Sequence, residues 1–190
     1  MSSGSDPNAI TEALEAAIDA FNEEGYGVPT REAEIDPDAD WKTQLTKACQ
    51  LLAAVDQISE QGFYTATIEL CFGATERSVE AFALAEGGDD LNDFHDHTYC
   101  YDRATAIGLL SSETTDNLRH LYDTNRTDSY YGGRRPTERQ AETMRQLSRS
   151  VHNYVTGQIR EGGVCVCDSE CSFKRSLASF LAQLDRAGVV

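Results

Sequence analysis

The sequence is short of positive charge. Its 190 residues hold 16 Lys and Arg against 32 Asp and Glu, which gives a formal net charge of -16 and a pI of about 4.5. Only three of the basic residues are lysines: Lys42, Lys47 and Lys174. A Lys-poor surface that is acidic all over suits solubility in concentrated salt. We therefore expect the protein of a halophile, whose acidity reflects habitat more than partner.

The sequence also lacks a long apolar run. No stretch approaches the roughly 20 apolar residues of a membrane-spanning helix. The first residues, Met-Ser-Ser-Gly-Ser-Asp, contain neither a basic stretch nor an apolar segment. These absences predict a cytoplasmic protein with no membrane partner. Apolar residues make up 40% of the chain, which at this length suffices for a core without disulfides.

Strand signals are missing too. Apolar residues recur at helical spacing, and no run of alternating β-branched residues interrupts them. The predicted fold class is all-α. We expect helices over about 41–61, 63–87 and 94–107, then one capped by Ser111 or Ser112 and a long one that starts at Thr137. The helix over 63–87 is apolar on several sides, which predicts a central position in a bundle.

The chain is predicted to have three parts. Residues 1–38 form an acidic N-terminal helix and linker, residues 39–161 form the bundle, and residues 162–190 form a Cys-containing turn and a C-terminal helix. Residues 119–149 stand out because they hold seven Arg against four acids. Such a segment favours an anionic ligand, with the alternative that these arginines pair with neighbouring carboxylates on solvated helices.

Two segments carry a resemblance to a known family. Residues 60–87 read EQGFYTATIELCFGATERSVEAFALAEG, and residues 118–132 read LRHLYDTNRTDSYYG, followed by a helix that starts near Glu138. From about Trp41 to Val155 the chain resembles the HEPN superfamily of toxin and nucleotidyltransferase-associated proteins. The resemblance implies an up-down bundle of four to five core helices, here with extra N-terminal and C-terminal helices.

The resemblance also implies a chemistry. Catalytic HEPN proteins are metal-independent ribonucleases that act at a homodimer interface, with an Arg followed four to six residues later by a His. Here Arg126 takes the Arg position, and Tyr131 stands where the His belongs, as in a degenerate branch of the superfamily. A His shuttles protons near neutral pH, and an Arg grips phosphate. Because a phenol with an ordinary pKa of about 10 is a poor base, the missing His argues against catalysis.

The function implied by the resemblance is a toxin-like or defence-associated module that binds or cleaves RNA. Arg126 would contact phosphate, and Tyr131 would stack or donate a hydrogen bond. Asn125, Asp128 and Tyr130 are the neighbouring ligand-binding candidates. The alternative is a non-catalytic module that binds a nucleotide or docks a minimal nucleotidyltransferase antitoxin. In some such pairs the partner adenylylates a tyrosine beside the Arg motif, for which Tyr130 or Tyr131 would serve.

Glu76 is a further candidate. Glu69, Glu76 and Glu80 share one face of the predicted central helix. That face meets solvent, a dimer partner or Arg126, and a buried Glu76 to Arg126 pair would orient the arginine. An ordinary solvated stripe is the alternative. We interpret the four histidines as structural residues: His95, His97, His120 and His152.

The six cysteines fall into two groups. Three lie at apolar helix positions and are interpreted as small buried core residues: Cys49, Cys71 and Cys100. The other three lie within seven residues of one another on a glycine-opened turn: Cys165, Cys167 and Cys171. In a reducing cytoplasm this density favours zinc or redox chemistry over a structural disulfide, with inert thiols as the alternative. A zinc site would need a fourth ligand, such as His152 or a cysteine of a dimer mate. No cofactor is expected in the bundle itself.

Overall fold

A computed structural model describes residues 7–23, 39–127 and 132–159. All regular secondary structure in these ranges is helical, which confirms the predicted all-α class. The chain divides into two compact units, Met1–Ala33 and Glu34–Val190. Within the described ranges, no helix has the length and apolar character needed to cross a membrane.

The first unit contains helix α1, Pro7–Glu23. Its apolar residues recur every three or four positions and so lie on one stripe of the helix. Every large side chain of that stripe is exposed: Ile10, Leu14, Ile18 and Phe21. Helix α1 is therefore amphipathic, with an exposed apolar face.

The second unit contains five α-helices within the described residues. They are α2 (Asp40–Ile58), α3 (Tyr64–Phe82), α4 (Tyr99–Ala106), α5 (Ser112–Asn125) and α6 (Glu138–Gln158). Helix α3 packs mainly against α2 and α6, and α4 packs against both α3 and α5. Most residues of α3 are buried, so its predicted central position is confirmed.

One core joins these five helices. Each of them contributes large buried side chains, among them Leu45, Val55, Phe72, Val79, Tyr101, Tyr122, Met144 and Val155. Burying an aliphatic or aromatic side chain of this size stabilises the fold by about 1.5–3 kcal/mol. Packing in the core therefore supplies most of the stability that holds the helices together.

Caps define where α5 and α6 begin. The Ser111 hydroxyl accepts a hydrogen bond from the Thr114 backbone N–H at 3.1 Å. At α6, Thr137 and Gln140 form a capping box, in which each side chain accepts from the other residue's backbone N–H. The sequence predicted both starts, because Ser and Thr satisfy the free N–H groups of a first helical turn.

Helix α4 begins at Tyr99, five residues later than the sequence predicted. The Asp96 carboxylate accepts a hydrogen bond from the Thr98 backbone N–H at 2.8 Å. An aspartate that bonds its own local backbone in this way competes with helix formation. As a result, His97 lies in a loop ahead of α4 instead of inside a helix.

Candidate functional site

A buried carboxylate and an exposed imidazole form the centre of the candidate site. Glu76 lies on α3 with 3% of its surface exposed. Its Oε2 atom is 2.9 Å from Nδ1 of His97, whose side chain is 62% exposed. When Glu76 is ionised, Nδ1–H donates to the carboxylate, and Nε2 is then the nitrogen that can accept a proton. Glu76 thus fixes both the orientation and the tautomer of His97.

Burial raises the pKa of Glu76 above its ordinary value, and the hydrogen bond and charge of His97 act in the opposite direction. A carboxylate with a raised pKa is a stronger base than an exposed one. It therefore holds the Nδ1 proton of His97 more tightly, as an orienting carboxylate must.

Glu80 is the second buried carboxylate of α3. It is 5% exposed and accepts a hydrogen bond from Nη1 of Arg77 at 2.6 Å. Burial raises its pKa, and the charge of Arg77 lowers it. Since Glu76 and Glu80 are both buried and paired, the alternative interpretation of this face as a solvated stripe is wrong.

Arg126 follows α5 directly and is held by an aromatic ring. Its Nη1 donates to the Tyr122 hydroxyl at 2.5 Å, and its Cζ lies 5.4 Å from the centre of the Tyr122 ring. Tyr122 is itself buried and packs edge-on against Phe72, with ring centres 5.2 Å apart. A cation stacked on a packed ring has little freedom to move. The Glu76 to Arg126 pair, one of the alternatives for this face, is not formed, because the described partner of Glu76 is His97.

Tyr122 lies next to both His97 and Arg126. The centre of the His97 ring lies 6.4 Å from that of Tyr122, the same ring that holds Arg126. The structure therefore places a histidine beside the arginine motif, although no histidine occupies the expected position in the sequence. We interpreted His97 as structural, and its sequence neighbourhood contains no signal for this contact.

A protein-family model matches residues 5–167 of this chain. That family is described as a domain of unknown function (DUF8154). The chain belongs to the DUF8154 family. Searches of curated proteins and of solved structures gave no match. Because the matched range includes α1 to α6, the cluster of Glu76, His97, Tyr122 and Arg126 lies inside the DUF8154 domain.

Of the other predicted site residues of this DUF8154 chain, Asn125 lies within the described ranges and the rest lie outside them. Asn125 lies at the end of α5, where its Nδ2 donates to Oε1 of Glu69 on α3 at 3.0 Å. Outside the described residues lie Asp128, Tyr130, Tyr131, Cys165, Cys167 and Cys171. Within the described ranges, no group of three or more His, Cys, Asp or Glu side chains could hold a metal ion. The zinc site at the three C-terminal cysteines stays a prediction.

A cavity of about 370 Å³ opens between α3, α5 and α6. Its apolar lining includes Ile68, Phe72, Leu121, Met144 and Leu147, and its polar lining includes Asn125, Arg134, Arg135 and Gln140. An apolar floor with arginines nearby suits a ligand that combines a flat apolar part with a negative charge. It is the second place in the described bundle where an anion could bind.

The arginine-rich segment is partly neutralised. Counting only pairs between described residues, three of its arginines pair with carboxylates elsewhere in the bundle: Arg119 with Asp102, and Arg145 and Arg149 with Asp56. Exposed pairs of this kind contribute about 1 kcal/mol or less. For these three positions the structure agrees with the alternative interpretation, in which the arginines pair on helix surfaces.

The cysteines of the bundle differ from one another. Cys71 and Cys100 are buried and free, as predicted, whereas Cys49 is half-buried and disulfide-bonded. The interpretation of Cys49 as a small core thiol is therefore wrong. The Cys49 sulfur lies 3.1 Å from Nε2 of His152, and the Ser78 hydroxyl lies 3.0 Å from Nδ1. Both ring nitrogens of His152 thus lie within hydrogen-bond distance of side chains inside the bundle.

Proposed function

We propose that this DUF8154 protein is a HEPN-like module of a toxin or defence system that binds RNA and cleaves it without a metal ion. In this proposal His97 replaces the histidine that the Arg126 motif lacks. The observation that carries the proposal is the buried Glu76 to His97 pair, which lies against the tyrosine that holds Arg126.

The chemistry needs one base and one cation. His97 Nε2 would accept the proton of a ribose 2′-hydroxyl as the 2′ oxygen attacks the adjoining phosphorus. The bond from phosphorus to the 5′ oxygen then breaks, and solvent supplies the proton for that leaving oxygen. The products are a 2′,3′-cyclic phosphate and a free 5′-hydroxyl. Glu76 would stabilise the imidazolium formed on His97, in the way a carboxylate supports a catalytic histidine elsewhere.

Arg126 would bind the phosphate whose charge increases in the transition state. A guanidinium suits this task because it is always protonated and presents several N–H donors in one plane. Tyr131 would stack on a base or donate a hydrogen bond. The homodimer implied by the resemblance would bring two such motifs together, and the acidic composition fits a cytoplasm rich in salt.

The decisive experiment is cleavage of labelled tRNA and of mixed cellular RNA in molar KCl with a chelator present. It compares the wild-type chain with His97→Ala, Arg126→Ala and Tyr131→Phe. Loss of a general base or of a transition-state cation costs about 100-fold or more in rate. His95→Ala is the matched control, since His95 is an exposed histidine two residues away.

The outcomes separate the parts of the proposal. Cleavage that falls with His97→Ala and Arg126→Ala, but not with His95→Ala, supports both assignments. Full activity of a folded His97→Ala variant would show that His97 is not the base. A folded wild-type protein that cleaves no RNA would overturn the ribonuclease function.

The second candidate is a non-catalytic module that binds a nucleotide or docks a minimal nucleotidyltransferase. The cavity between α3, α5 and α6 favours it, because an apolar floor beside Arg134 and Arg135 fits a base and a phosphate. Calorimetric titration with ATP tests it. Arg135→Ala should weaken saturable binding, and Arg139→Ala should not, because Arg139 is an exposed arginine outside the cavity lining.

A further inference from the structure

A separate depression of about 430 Å³ adjoins the Glu76 to His97 pair. Residues of α2, of α3 and of the loop before α4 line it: Lys47, Gln50, Leu51, Gly73, Glu76, Arg77 and His97. Because Glu76 and His97 belong to its wall, a ligand in the depression would lie next to the imidazole.

Gln50 gives the depression an unused hydrogen-bond donor. Its Nε2 atom is buried and has no hydrogen-bond partner among the described residues. A buried N–H without an acceptor is unfavourable, since it has lost water and gained nothing in return. Because this nitrogen is closed to solvent, the Gln50 side chain must turn toward the depression for a ligand oxygen there to supply the missing acceptor.

Lys47 is the cation of the depression that no carboxylate among the described residues pairs. Glu80 is paired with Arg77, and Glu76 is hydrogen-bonded to His97. Lys47 is exposed on α2 and close enough for its charge to lower the pKa of Glu80. Since Arg77 already pairs with Glu80, the Lys47 ammonium is the cation available to a ligand anion. The depression therefore suits an anion of a single charge, which is the charge of one phosphodiester.

Gly73 shapes the floor. A Cβ atom at this position would lie 3.3 Å from Cδ1 of Leu51, which is closer than an ordinary contact. Glycine inside a helix is unfavourable, yet here it lets α2 and α3 approach and leaves the floor open.

We propose that the depression binds the phosphodiester next to the one that is cleaved, with Lys47 and Gln50 contacting its non-bridging oxygens. This inference rests on the proposed function and identifies the substrate class. The protein acts on an oligonucleotide with at least two consecutive phosphates, one at Arg126 and one at Lys47. A mononucleotide would occupy only half of the site.

The test measures binding without cleavage. The probe is a fluorescein-labelled 2′-deoxy pentanucleotide, which lacks the attacking hydroxyl, and its anisotropy is followed with the full chain at several KCl concentrations. Lys47→Ala should weaken binding about tenfold and reduce the dependence of log Kd on log salt by about 0.7. Gln50→Leu should weaken binding and leave the salt dependence unchanged, because it removes no charge.

Lys42→Ala is the matched control, since Lys42 lies on the same helix but contacts the Trp41 ring outside the depression. Equal weakening by Lys42→Ala and Lys47→Ala would overturn the proposal, as would binding that depends on Arg126 and not on Lys47. Absence of any binding would overturn it as well. Binding that depends on Lys47 in a protein that cleaves no RNA would uphold the depression as a phosphate site and refute only the ribonuclease function.

Discussion

The imidazole of His97 lies 2.9 Å from a carboxylate, that of Glu76, which is almost fully enclosed by the bundle. The two residues belong to different elements, and the loop that carries His97 approaches α3 because α4 begins late. Enclosing a carboxylate with one exposed histidine as its partner does not favour stability, since the ionised form loses much of its hydration. Residues that lower stability in this way are common at functional sites.

Glu76→Gln should make the protein more stable at neutral pH. In the folded protein, burial raises the pKa of Glu76 above its ordinary value of 4.5, and the charge of Glu80 raises it further. The effects of His97 and Arg77 lower this pKa but do not cancel the effect of burial. The folded state therefore binds this proton more tightly than the unfolded state, and stability is lost as pH rises through the folded pKa. A glutamine keeps an oxygen for His97 and carries no charge. We expect a gain of about 1–2 kcal/mol at about pH 8.

Urea unfolding across pH measures this gain, which should shrink as the pH approaches 4.5, the ordinary value of the carboxyl. Glu69→Gln is the control, because Glu69 is only half-buried on the same helix. A gain that is constant with pH would mean that the change acts through packing and not through the charge. RNA cleavage should fall in Glu76→Gln, because the amide stabilises an imidazolium poorly.

The sequence predicts the bundle well and the site only in part. Apolar periodicity and the caps at Ser111 and Thr137 determine helices locally, so short-range patterns are enough to predict them. The sequence predicts Glu76 as a candidate site residue from its face of the helix, but it does not predict which residue pairs with Glu76. That partner, His97, is brought in by a loop that forms where Asp96 bonds the backbone and delays α4.

His152 should make the protein sensitive to mild acid. Burial, and to a lesser extent the charge of Arg149, lowers the pKa of His152 from 6.5 to about 4. As pH falls, the unfolded state therefore binds the proton before the folded state does. The protein is most stable above pH 6.5, the ordinary pKa, and loses stability as the pH falls from there to about 4, the folded pKa. The loss approaches roughly 3 kcal/mol across this window.

Urea unfolding of wild type and of His152→Gln between about pH 7 and about pH 4.5 isolates this effect. Glutamine retains hydrogen-bonding groups for Ser78 and does not titrate. The variant should be less stable at neutral pH and lose less stability in acid. His120→Gln, at an exposed position of α5, should keep the wild-type slope. An unchanged slope in His152→Gln would contradict the assignment.

Cys71 and Cys100 should resist alkylation in the folded protein. Burial raises the pKa of the Cys71 thiol to about 12 and raises that of Cys100 as well. Only the thiolate reacts with iodoacetamide, and both sulfurs are also shielded from the reagent. Peptide mapping by mass spectrometry should find both positions unmodified in native protein and modified after unfolding in urea. Rapid native labelling of either would contradict the packing of α3 or α4.

Concentrated KCl should stabilise this protein by screening its own charge. At neutral pH a net charge of -16 repels itself in the compact state, and salt weakens that repulsion. The unfolding midpoint should rise between about 0.2 M and about 2 M KCl. The control is the same titration near the pI of about 4.5, where the net charge vanishes. The rise of the unfolding midpoint with KCl should be smaller there. Protonation of His152 lowers the absolute stability at this pH but does not alter that comparison. An equal increment at both pH values would assign the effect to exclusion of salt from the protein surface. In that case the acidic composition would give no support to a halophilic origin.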